Sequence, residues 1–175
     1  VARAHRSARF ALGFAVHRMD HDAAVIHEAA LLHDFAEMLL WCHAPVLAAR
    51  IHDAQRVDPT LRSAAAQKQI LGIELADLQQ ALMKAWHLPE LLLTLMDHAK
   101  ADNPRVRNVV LAVDLARHAA NGWDDAALPD DFKAIEELLR ISHDSLLRKL
   151  GVETPDDVAQ PQQPAAAIPE MPPRR

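Results

Sequence analysis

Apolar residues along this chain recur at three- and four-residue spacing and almost never in strict alternation, the signature of amphipathic helices rather than strands. The first run, about Ala2 to Met19, puts Phe10 and Phe14 one turn apart. It also sets His5, Ala8, Leu12 and Val16 on a second stripe, which predicts His5 on an apolar face. Asp20 or Asp22 can cap a second helix over about Ala23–His43. Pro45 suits a first-turn position, and a helix to about Gln55 follows. Asp58-Pro59 reads as a cap and first helical residue for a helix reaching Leu71, with Gly72 fitted to its C-terminal turn. Further helices are expected over Glu74–Trp86, from Leu88-Pro89-Glu90 onward, and from Asn103-Pro104 to Asn121-Gly122. A last one opens at Pro129-Asp130-Asp131 and ends at Leu150, with a break near Ser142.

The expected fold class is therefore all-α, a bundle of about seven to eight helices. Composition agrees: alanine and leucine dominate and glycine is scarce, four in 175 residues. Residues 1–150 form one helical domain on this reading. From 151 to 175 the chain turns proline-rich and poor in large apolar groups, so it cannot offset its ordering entropy and is expected to be a disordered tail. Val1 opens directly on a helical pattern, which suggests that an N-terminal subdomain is missing.

Charge narrows the function classes. With 19 Lys and Arg against 24 Asp and Glu, the net charge is −5, so a nucleic-acid partner, which needs a basic field, is not expected. Arg3, Arg6 and Arg9 read as a small solvated cluster. No apolar run reaches the roughly 18 residues of a membrane span, and no export signal is visible. The single cysteine, Cys42, excludes an intrachain disulfide and reads as a small buried apolar residue. The expected compartment is the cytoplasm.

Eleven histidines and no tyrosine place the candidate chemistry on imidazole. In Glu28-Ala-Ala-Leu-Leu-His33-Asp34-Phe-Ala-Glu37 a His-Asp doublet ends an apolar run, where both side chains need partners. Imidazole and carboxylate are both ligands for first-row metals. The alternative is a structural pair, with Asp34 accepting from a backbone group or an arginine. Asp114 has Arg117 and Arg107 as ion-pair partners. His98 reads as a histidine at a helix C-terminus, and Trp86 as a core residue or a helix-packing anchor.

The inward His5, the His33-Asp34 doublet about eight turns on, and Asp114 in Ala-Val-Asp-Leu-Ala resemble the HD superfamily of metal-dependent phosphohydrolases. Gly72-Ile-Glu-Leu-Ala-Asp-Leu, then Ala85-Trp86-His87-Leu88-Pro89-Glu90 and Met96-Asp97-His98, are more closely similar to the HDOD family, the HD-related output domain of bacterial signalling proteins. The likeness runs from His5 to Leu150 and suggests the C-terminal, HD-like portion of that domain. It implies an all-α HD-like bundle, with His5, His33, Asp34 and Asp114 at the metal-ligand positions and His98 at an additional histidine. The implied metal is a divalent ion: Fe, Mn, Zn, Ni or Mg.

The chain departs from the hydrolase pattern after the doublet, where glycine and a basic residue are replaced by Ala36 and Glu37. Read as helix, Glu37 lies four residues from His33 on the same face. A carboxylate there repels a phosphate substrate by roughly 4 kcal/mol at 4 Å and an effective dielectric near 20. Two readings follow. The first is a non-catalytic signalling module that docks on another signalling protein or an attached domain, with Phe10 and Phe14 lining the docking patch. The second is a metal-dependent phosphohydrolase acting on nucleotides or other phosphate esters.

Overall fold

A computed structural model describes residues 2–152 and is helical throughout its regular structure. The elements are α1 (Ala2–His17), α2 (Ala23–Leu31), α3 (Phe35–His43), α4 (Pro45–Val57), α5 (Ser63–Leu71), α6 (Leu75–Ala85) and α7 (Glu90–Leu95). A 3₁₀ turn (His98–Lys100) leads into α8 (Pro104–His118), which ends in a second 3₁₀ turn (Ala119–Asn121). Then come α9 (Leu128–Leu139) and α10 (His143–Leu150). The all-α bundle expected from the sequence is the observed architecture. The expected tail lies outside the described residues apart from Gly151 and Val152.

Helix α8 is the centre of the bundle. Val106, Val109, Ala112, Val113, Leu115 and Ala116 bury positions right around its circumference, as a helix enclosed on most sides must. It packs on α1, α2 and α9, and α10 packs on α9. Buried Ser7, Ala8, Ala11, Phe14 and Ala15 form the inner face of α1, and the serine and alanines let the backbones of α1, α2 and α8 approach. Asn108 is fully buried within this contact. Its amide donates to the Ala11 carbonyl at 3.2 Å and accepts from the Ala15 N–H at 3.1 Å, so a polar core residue is satisfied by backbone. Ser7 Oγ donates to the Ala30 carbonyl at 3.1 Å and ties α1 to α2. Helices α3 to α6 form a second group through α3–α4, α4–α5 and α3–α6 contacts.

Most boundaries follow the expected punctuation. Asn103 accepts from Arg105 N–H ahead of Pro104, Gly72 ends α5 in the left-handed region with φ 76°, and the break at Ser142 separates α9 from α10. Two do not. Asp58-Pro59 opens a turn, with Asp58 accepting from Thr60 N–H at 2.9 Å, and α5 starts only at Ser63. The helix expected over Ala23–His43 is interrupted at residues 32–34. The Leu32 N–H closes α2 on the Glu28 carbonyl, the Phe35 N–H bonds Leu32, and Asp34 takes the N-cap position of α3. No glycine or proline marks this break. It arises because α2 packs on α1, α7 and α8 while α3 turns away to α4 and α6, so tertiary packing overrides local propensity. The same-face relation between His33 and Glu37 is lost with it.

Two side-chain expectations are corrected, and a third is decided between its alternatives. Phe14 is core, not patch, and Phe10 stacks beside it with ring centroids 6.4 Å apart. Cys42 is exposed. Trp86 is half exposed and leans on Phe35 at 5.8 Å, so it anchors a helix end without entering the core.

Candidate functional site

The α2–α3 break carries the His33-Asp34 doublet and turns both side chains towards α1 and the segment after α7. Asp34 occupies the N-cap of α3, yet its carboxylate makes no cap hydrogen bond. Both oxygens are engaged elsewhere. Oδ1 bonds His33 Nδ1 at 2.7 Å, and Oδ2 accepts from Arg3 Nη2 at 2.8 Å. The same guanidinium nitrogen lies 3.7 Å from Glu37 Oε2. Arg3 thus sets one positive charge between two carboxylates.

His33 continues the chain of contacts, with Nε2 2.5 Å from His98 Nε2 and the two ring centroids 4.7 Å apart. His98 arrives from the 3₁₀ turn after α7, held by Asp97, whose side chain accepts from Ala99 N–H. It does not end a helix as expected, because α7 stops at Leu95. Only one proton fits between facing imidazole nitrogens, so one ring must accept from the other.

The charges follow the contacts. Burial pushes the Asp34 carboxyl up, but the His33 hydrogen bond and charge, with Arg3 beside it, outweigh burial and hold it at about 2. His98 sits below the ordinary histidine value. Loss of solvent around the ring is the main cause and the His33 charge the next, against the opposing pull of Asp114, Asp34 and Asp97. Asp114 therefore acts on the cluster electrostatically from α8, while its carboxylate forms the expected ion pair with Arg117.

His5 does not join the group. The inner face of α1 centres on Ala4 and Ala11, and His5 lies about 120° round from Ala11 at 100° per residue. It is exposed there with Leu12 and Val16. Of the expected stripe of His5, Ala8, Leu12 and Val16, Ala8 is buried and the other three face outward. Arg3 lies on the opposite flank and reaches the doublet in its place. The sequence carried a signal for this: Arg3, Ser7, Phe10 and Phe14 follow i, i+4, i+7, i+11 spacing, which sets Arg3 at the edge of the buried stripe.

The donor set, two imidazoles with Asp34 and Asp114, has the chemistry of a first-row metal site. Its placement is another matter. Two nitrogens bound to one tetrahedral ion at 2.0–2.1 Å are about 3.3 Å apart, so the rings of His33 and His98 would have to separate and Arg3 to release Asp34. Among the described residues no group of three or more His, Cys, Asp or Glu converges as a metal site.

The sequence matches the HDOD domain over residues 2–101. The chain belongs to the HDOD family. The HDOD match includes Arg3, the doublet and His98 but stops before Asp114, and so is shorter than the likeness from His5 to Leu150. It does not bear out a placement in the family's C-terminal portion. Neither a curated protein nor a solved structure gives a match. Membership makes this an HD-related output domain of the kind found in signalling proteins. Among the described residues no helix is long and apolar enough to cross a membrane.

Proposed function

We propose that this HDOD domain is a non-catalytic module of cytoplasmic signal transduction, which works by contact with another signalling protein or an attached domain. One observation carries the reading: the Arg3 guanidinium bonds Asp34 and lies near Glu37, supplying from the protein itself the positive charge that a metal ion supplies in a hydrolase. Asp34 then orients His33, and His33 meets His98, so the doublet serves to join α1, the α2–α3 break and the end of α7. The outward pair Leu12 and Val16, with Met19 in the turn just beyond the helix, the last two 60% and 84% exposed, supports a docking role for α1. The test is hydrolysis of phosphomonoesters, nucleotides and cyclic dinucleotides with Fe, Mn, Zn, Ni or Mg supplied, alongside elemental analysis of protein purified without chelator. No turnover above a His33→Ala control is expected, and a metal-dependent rate lost in that control overturns the reading.

A second reading is favoured by the approach of His33 Nε2 to His98 Nε2. Two imidazoles facing one another beside Asp114 are half of a metal centre. If Arg3 withdrew, His33, Asp34, His98 and Asp114 would hold the ion, while His5 would need α1 to turn. A divalent metal there would acidify a bound water and polarise a phosphoryl oxygen, the chemistry of a phosphohydrolase. Metal content without hydrolysis would instead mark a sensing domain.

A further inference from the structure

One turn along α1 from Arg3, a cavity of about 490 Å³ opens between α1, the end of α8 and α10. Its wall includes Arg6, Arg9 and Lys149, with Phe10 and Trp123. Arg6 and Arg9 come from the outer face of α1, and Lys149 from the last turn of α10. The Gly122 backbone, at φ 133°, turns the chain after α8 so that Trp123 joins the wall. No acidic side chain lines the cavity among the described residues, in a chain whose net charge is −5. None of the three cations takes part in an ion pair among the described residues. Arg6 spends one N–H on the Ala119 carbonyl at 2.7 Å, which fixes its guanidinium and leaves other donors free.

The aromatic groups are placed to match. Trp123 stacks on Phe132 at 6.2 Å with 29° between the planes, yet it stays 39% exposed. A ring supported on one side and open to a cavity is a stacking surface for a planar group. A larger cavity, about 1000 Å³ beside α9, also carries arginines, Arg18 and Arg140 among them, but there Arg107 is paired with Glu137 and Asp102 lines the wall. The cavity between α1 and α10 keeps its positive charge unspent.

We propose that this second cavity binds a mononucleotide, with Arg6, Arg9 and Lys149 on the phosphate and Trp123 against the base. Its volume lies within the range of small-ligand sites, and a compact cluster of three cations suits a phosphate dianion. None of its lining residues belongs to the doublet cluster, so the site stands whether or not the doublet is catalytic. It gives an output domain a means of sensing a soluble phosphorylated metabolite through the α1–α8–α10 corner.

Calorimetric titration with AMP tests it, with adenosine and inorganic phosphate as partial ligands. AMP is expected to bind at least about tenfold more tightly than either part, since each supplies only half of the contacts. Arg9→Gln and Lys149→Gln, both exposed changes that leave the Arg6 link to Ala119 intact, are each expected to weaken AMP by about fivefold to tenfold. Trp123→Leu is expected to bring AMP affinity down to that of phosphate, and the wild-type indole N–H resonance of Trp123 is expected to shift on binding. The proposal is overturned if AMP shows no binding at millimolar concentration, or if phosphate alone binds as well as AMP. It is also overturned if His33→Gln, rather than Arg9→Gln, abolishes the titration, which would move the nucleotide to the doublet.

Discussion

Replacing Arg3 with methionine keeps the length of the side chain and removes its charge and donors. The pair it breaks is partly open to water, with 46% of the Arg3 and 31% of the Asp34 side chain exposed, so the direct attraction contributes about 0.5–1 kcal/mol. Asp34 then keeps its charge in a half-buried position with one partner fewer, at a cost of about 1 kcal/mol. Against this, Arg3 lies in the first turn of α1, where the helix dipole disfavours a cation, and removing it returns about 0.3 kcal/mol. The net expectation is a loss of about 1.2–1.7 kcal/mol in urea unfolding at pH 7. A double-mutant cycle with Asp34→Asn isolates the pair and should give a coupling of about 0.5–1 kcal/mol. A coupling below about 0.2 kcal/mol, or a more stable Arg3→Met protein, would refute the reasoning, because Arg3 would then be a bystander on the surface.

The low value of Asp34 adds a pH dependence. Its folded value of about 2 lies below the ordinary 3.8, so the stability it contributes is present above pH 3.8 and lost as pH falls towards 2. The gap amounts to about 2 kcal/mol, and about 1 kcal/mol once the solvent-open part of the carboxylate is allowed for. Acid titration of unfolding should show that loss in the wild type and a smaller one in Asp34→Asn. Asn108→Ala should cost about 2–3 kcal/mol in thermal or urea unfolding, since it empties a buried site and strips the bonds to Ala11 and Ala15. Gly72→Ala should cost about 1 kcal/mol, because φ 76° strains any side chain although open space surrounds the added methyl.

Helical spacing and end signals were enough to read the bundle, because proline, Asn103, Gly72 and Ser142 act locally on the backbone. The site was legible in its members and not in its assembly. His33 bonds Asp34 and meets His98, but the break that aims them carries no local mark. Residues 28–40 read as one helix, and only the divergence of α2 and α3 towards different partners opens it. His5 and Arg3 show the finer limit. They lie two residues apart, about 200° round the helix, and which one faces the doublet depends on where the inner face of α1 is centred. The run of small residues, Ala4, Ser7, Ala8, Ala11 and Ala15, sets that centre. The aromatic and aliphatic stripe of Leu12 and Val16 draws the eye to the wrong flank.

The account rests on an arginine standing where a hydrolase holds a metal. Crystals grown with excess Mn(II) and measured at the manganese absorption edge test this most directly. The account predicts Arg3 still bonded to Asp34 and no anomalous density between His33 and His98. A manganese peak within about 2.2 Å of both Nε2 atoms, with Arg3 displaced from Asp34, would contradict it.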